Sequence, residues 1–188
     1  MATIPVYVAS SERFAVCEAA IVNSIKQNTN ANVDVKIIRP EAIGMVETGC
    51  TGFTNVRFAV PELLRNDGYE YGVYLDVDMI VLADIEELYQ YHWPNKYVCL
   101  FDGSTEVGVI HSGVQMPQIS ALQHMNKATL DAMLPKAPRI PKEWNVEDGY
   151  HENAKLIHFT DLKRQPWFYD GHPCPEAVEI WRTYANLT

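Results

Sequence analysis

Gly72 to Leu82 reads GVYLDVDMIVL, the most apolar stretch of the chain, and it carries Asp76 and Asp78 in its middle. Such a run is expected as a strand whose neighbours demand burial. Side chains two apart share a face of a strand, so the two carboxylates are expected on a common side, where like charges repel. An ionised carboxylate buried without a partner costs several kcal/mol or takes up a proton, so keeping both implies a cation between or beside them. Oxygen ligands favour a hard divalent ion such as magnesium or manganese, a usual carrier of a diphosphate. The competing reading has one Asp capping the strand-to-helix turn and the other paired with a Lys or Arg, but Asp84 in Asp84-Ile85-Glu86-Glu87 already supplies a cap.

The rest of the chain alternates strands with helices. Ile4 to Ala9 reads as a buried strand ending in Ser10-Ser11, and Glu12 to Asn28 as an amphipathic helix with Phe14, Cys17, Ile21, Val22 and Ile25 on one face. Val33 to Ile38 follows as a second strand, completing a parallel βαβ unit. Thr54 to Leu64 has helical spacing interrupted by Pro61, so a bent or two-piece helix is expected. Lys96 to Phe101 and Val107 to Met116 read as strands around an Asp102-Gly103-Ser104 turn, Ile119 to Leu134 as helical, and Pro135 to Pro141 as a loop. Ala154 to Phe159 is expected as a last strand and Glu176 to Leu187 as a terminal helix. The class is α/β, with a central mostly parallel sheet flanked by helices and one core in 188 residues.

Charge and cysteine usage exclude several functions. The formal charge is −9, which argues against a surface for nucleic acid or anionic lipid. Cys17, Cys50, Cys99 and Cys174 form no CxxC pair or zinc spacing, which fits a reducing compartment. No secretory signal pattern opens the chain, no run is long enough to span a membrane, and a soluble cytoplasmic protein is expected, bacterial or from a virus-infected cell. The sequon Asn186-Leu187-Thr188 is then a chance match.

His158 stands where the strand Ala154 to Phe159 meets a polar loop, with Lys163 and Arg164 close behind. A lone His after an apolar run is most often a satisfied core residue. An imidazole ligand next to cationic side chains is also a way to hold the two phosphates of a nucleotide diphosphate.

In order along the chain stand Asn23-Ser24-Ile25, Arg57-Phe58-Ala59-Val60-Pro61-Glu62-Leu63, Tyr74-Leu75-Asp76-Val77-Asp78, Ser112-Gly113-Val114, and His158-Phe159-Thr160 followed by Pro166-Trp167. This ordered set resembles the glycogenin-like and lipopolysaccharide galactosyltransferase-like glycosyltransferases. The resemblance implies a single GT-A (Rossmann-like) domain over residues 1–188, whole or part of a longer chain, moving a hexose from a nucleotide-diphosphate sugar, UDP-sugar foremost, to a glycan or other hydroxyl acceptor. It implies a manganese or magnesium ion held by Asp76, Asp78 and His158, with Asp76 also approaching the ribose. It implies phosphate or donor-sugar contact for Arg57, which could equally form a surface helix salt bridge, a base site near Ala9 and Ser10, and a sugar pocket lined by Ser112-Gly113-Val114.

The chain departs from that family in places. Ser10-Ser11-Glu12-Arg13-Phe14 replaces an acidic and aromatic pair, Gln165 stands for the Lys before Pro-Trp so that Lys163 or Arg164 must contact phosphate, and His111 stands for an Asn. The segment Met116 to Pro141 is short and has no clear Asp-Gln equivalent. Retention is implied by analogy; inversion would need a base, for which Asp102, His111 and Asp148 are candidates. Trp144-Asn145 and Trp167-Phe168-Tyr169 are aromatic clusters expected near the site, suited either to core packing or to an acceptor sugar ring. The alternatives are a degenerate domain that binds sugar nucleotide or glycan without turnover, and a DxD phosphatase, against which Ile80 stands where a small residue is usual.

Overall fold

The computed structural model describes residues 3–185; the sequon and the last residues of the expected terminal helix lie outside them. The chain opens with β1 (Ile4–Ala9), α1 (Ala15–Asn28) and β2 (Val33–Ile38), and β1 pairs in parallel with β2. Every residue of β1 is buried, as a strand covered on both faces requires. A 3-10 turn over Val56–Phe58 then leads into α2 (Val60–Asp67), so the interrupted helix is in two pieces. Pro61 falls in the first turn of α2, where its missing N–H costs nothing. Gly68 ends α2 at φ 78°, a left-handed conformation in which its amide reaches back to Arg65 and Leu64.

The apolar run around the two aspartates is not one strand. It divides into β3 (Tyr71–Asp76) and β4 (Met79–Val81), joined by a turn at Val77-Asp78. β3 lies beside β1 in a six-stranded sheet, whereas β4 belongs to a separate three-stranded sheet. The run is apolar throughout because both halves are buried, and that burial hides the turn from any reading of periodicity. After α3 (Ile85–Tyr89), whose first turn Asp84 caps, come β5 (Tyr97–Leu100), β6 (Gly108–His111), α4 (Ile119–Leu122), α5 (Lys127–Met133) and β7 (Lys136–Ile140). The main sheet has the order β2-β1-β3-β6-β5-β7, with β6 antiparallel to both its neighbours.

The expected proline loop is instead β7, parallel to β5 at the sheet's edge. Pro138 is tolerated there because an edge strand has one side free of ladder bonds. The small sheet has the order β4-β9-β8, from β8 (Val146–Glu147) and β9 (Leu156–His158). Terminal α6 (Pro175–Ala185) packs over it, and Ile80, Ile157, Phe159 and Trp181 form a second apolar cluster beside the main core. Trp167 packs against both clusters.

The chain leaves β1 toward β2 on one side and returns to β3 on the other. This reversal opens a crevice outside the carboxyl ends of β1 and β3, where Ala9 and Asp76 are register partners. No described helix is long and apolar enough to cross a membrane.

Candidate functional site

Asp76 ends β3 at this crevice, and Asp78 sits in the turn just beyond. The antiparallel register of β4 with β9 sets Met79 opposite His158, and the Phe159 amide donates to the Asp78 carbonyl at 2.9 Å. One ligand atom each from Asp76, Asp78 and His158 all lie within 4.8 Å of one another, and all three residues are buried. The two carboxylates therefore converge around a turn rather than along one strand face.

Each member is held by a different neighbour. Arg57 Nη2 donates to Asp76 Oδ2 at 2.9 Å, and the Tyr74 hydroxyl donates to Asp76 Oδ1. Burial raises the Asp76 carboxyl above the ordinary carboxylate range, with Arg57 opposing and Asp78 adding to the rise. Gln165, fully buried, donates to Asp78 Oδ2 at 3.3 Å and to the Phe159 carbonyl at 2.9 Å. His158 Nδ1 meets Asn145 Oδ1 at 2.9 Å. The Asn145 amide nitrogen donates to Glu106 and Glu147, so its oxygen accepts from His158, and the neutral ring keeps its proton on Nδ1. His158 Nε2 then faces Asp78 Oδ1 at 3.3 Å. Burial works against charge on this imidazole, but Asp78, Asp76 and Glu106 outweigh it and lift the pKa to about 9.

The arrangement fits a divalent cation. Asp78 Oδ1 is sealed from solvent, and its one close polar neighbour among the described residues is His158 Nε2, so these two donor atoms face each other inside the cluster. Two carboxylates and an imidazole oriented through its other nitrogen form a suitable donor set. A cavity of about 190 Å³ opens onto the three residues, and Arg57, Glu106, Lys127 and Thr160 contribute to its wall.

Solved structures of glycosyltransferases share this architecture. The bifunctional glycosyltransferase WbbM matches with a TM-score of 0.66 at 14% identity, over 99% of this chain and 50% of that one. GlyE of Streptococcus pneumoniae TIGR4 matches at 0.67 and 12%, over 97% of this chain and 60% of that one. An active-site mutant of LgtC matches at 0.69 and 10%, over 98% of this chain and 96% of that one. The chain has a GT-A fold. It spans half the length of WbbM and 60% of GlyE. No family model and no curated protein sequence matches it.

On this GT-A frame the other expected site residues fall in varied places. Arg57 is buried and bound to Asp76, so the surface salt bridge is corrected, while the pairing of one Asp with an Arg is realised. Ala9 and Ser10 stand at the crevice but are wholly buried, with the Ser10 hydroxyl donating to Glu18. Lys163 and Arg164 are exposed, Arg164 lies 3.4 Å from Asp161, and neither lines the cavity. Asp102 is exposed and accepts from the Ser104 amide within its own turn.

One of the candidate bases, His111, is corrected by position, and another, Asp148, lies near the site with its carboxylate engaged. His111 pairs with Tyr71 at the opposite end of β3, about 16 Å from Asp76 at the strand rise of roughly 3.3 Å per residue. Ser112-Gly113-Val114 stays at that end with it, the Ser112 amide donating to the Glu70 carbonyl. Asp148 is spent on structure: it accepts from the Thr160 hydroxyl at 2.5 Å and from the Asp161 amide. Trp144 is fully buried, so it packs core rather than meeting an acceptor, while Phe168 and Tyr169 are exposed. Sequence reasoning did not single out Glu106 and Lys127 for the site, because isolated polar residues carry no periodicity and reach the cavity wall only in the fold.

Proposed function

We propose that the chain is a metal-dependent glycosyltransferase that moves a hexose from a nucleotide-diphosphate sugar, a UDP-sugar foremost, to a hydroxyl of a glycan or glycoconjugate. The observation that carries this reading is the buried Asp76, Asp78 and His158 cluster at the strand-order reversal of a GT-A fold. Those residues would hold a divalent ion, with manganese suited to a mixed set of carboxylates and imidazole. When bound, the ion supplies Lewis-acid stabilisation of charge on the departing diphosphate.

In the transfer the acceptor oxygen bonds to the sugar C1, the bond from C1 to the phosphate oxygen breaks, and its electron pair leaves with the nucleoside diphosphate. The hydroxyl proton passes to the leaving phosphate or to water. Arg57 aligns Asp76 and favours its ionised form, and Asn145 orients the His158 ring so that Nε2 is turned into the cluster. Besides the two aspartates, Glu106 is the carboxylate that lines the cavity among the described residues, and it is engaged by Asn145 and Ser104. Retention, implied by the family resemblance, is the stereochemistry that goes with this reading.

Hydrolysis of a panel of UDP-, GDP- and CMP-sugars, each with manganese and with chelator, tests the reading. Manganese-dependent release of one nucleotide, absent in Asp78→Ala, is the expected outcome. Nucleotide binding without turnover would favour a degenerate domain, and metal-dependent phosphate release from monoesters would favour a phosphatase.

A further inference from the structure

The cavity over Asp76, Asp78 and His158 contains an uncommitted cation that the motifs did not reveal. Arg57 is bound to Asp76, and His158 is set between Asp78 and Asn145. Lys163 and Arg164, the residues expected to meet phosphate, lie outside the cavity wall, and the position before Pro166 is Gln165, buried against Asp78. Lys127 does line the wall. Among the described residues the lysines in ion pairs are Lys36, Lys136 and Lys155, so the Lys127 ammonium is not spent on a carboxylate.

Its place is built into the fold rather than left to a flexible loop. Asn126 caps α5 by accepting from the Thr129 amide at 2.8 Å, which makes Lys127 the first helical residue, and Leu130 anchors the helix in the core. Buried Asn55 donates to the carbonyls of Leu122 and Met125 at 3.1 and 3.0 Å. It thereby ties the turn before α5 to the segment that carries Thr54 and Arg57, on the same cavity wall. Lys127 is exposed, on the wall that it shares with the acidic cluster, where a long-stemmed ammonium can meet an anion held on that cluster.

We propose that Lys127 binds the ligand's diphosphate, on the phosphate oxygens turned away from the metal, in the role expected of Lys163 or Arg164. This rests on the metal-dependent transferase reading above. It makes Lys127 a binding residue for the leaving group, neutralising charge that grows as the bond from C1 to oxygen breaks.

The test uses inorganic pyrophosphate with manganese, titrated calorimetrically into the full chain, so that no assumption about base or sugar enters. Lys127→Ala is expected to weaken pyrophosphate binding at least tenfold, with Lys127→Arg retaining most of it. Manganese binding in the absence of pyrophosphate should stay within twofold of the wild type in both variants. Unchanged pyrophosphate affinity in Lys127→Ala, or a loss found instead in Lys163→Ala or Arg164→Ala, would overturn the assignment and leave the metal reading standing. If the wild type binds pyrophosphate equally well in chelator, the metal reading and the Lys127 assignment fail together.

Discussion

Arg57 Nη2 and Asp76 Oδ2 lie 2.9 Å apart with the two side chains only 4% and 7% exposed, joining the 3-10 turn before α2 to the end of β3 at the cavity. Burial opposes the charge on Arg57, and Asp76 more than restores it, raising the guanidinium. A pair this buried adds little net stability against an apolar replacement, but removing one partner strands a charge. Arg57→Met is therefore expected to cost about 3–5 kcal/mol, read from the midpoint of urea unfolding. A cost below about 1 kcal/mol, the range of exposed pairs, would show that water reaches Asp76.

Asn145 touches the candidate metal cluster through His158. Outer groups that fix a ligand imidazole are typically worth about 10–100-fold in metal affinity. Asn145→Ala should weaken manganese binding by that factor while the far-ultraviolet circular dichroism stays native. Wild-type affinity in this variant would mean that His158 is not a ligand, or that its ring orientation is set by something other than Asn145.

Asp148 separates a bracing residue from a base. It sits at φ 47°, a conformation that Asp and Asn tolerate, and its carboxylate braces Thr160, which lines the cavity. Asn at this position keeps the accepting oxygen and the backbone conformation but cannot take a proton. Asp148→Asn should retain at least a third of wild-type donor hydrolysis. A loss of about 10²–10⁴-fold, the usual worth of a general base, would restore Asp148 to the chemistry.

Much of this organisation is legible in the sequence because burial writes itself locally. The unbroken apolar run of β1, the helical spacing of Cys17, Ile21 and Ile25 in α1, and the Asp84 cap all follow from short-range pattern. Asp76 and Asp78 stand out because charge inside an apolar run needs an explanation. What was hidden depends on partners distant in the chain. The turn at Val77-Asp78 is invisible because β3 and β4 are equally buried in different sheets. His111 was misplaced because nothing local tells that β6 runs antiparallel to β3, which puts its end far from Asp76. Lys127 lies on the cavity wall just after a turn that Asn55 clamps, a contact across some seventy positions.

The most direct measurement is calorimetric titration of UDP, GDP and CMP into the wild-type chain and into Asp78→Ala, each with manganese and with chelator. The expected result is tight binding of one nucleotide, UDP foremost, in manganese, weakened at least tenfold by chelator and in Asp78→Ala. Equal nucleotide affinity in all conditions, or none in any, would contradict a metal-dependent sugar-nucleotide site at Asp76, Asp78 and His158.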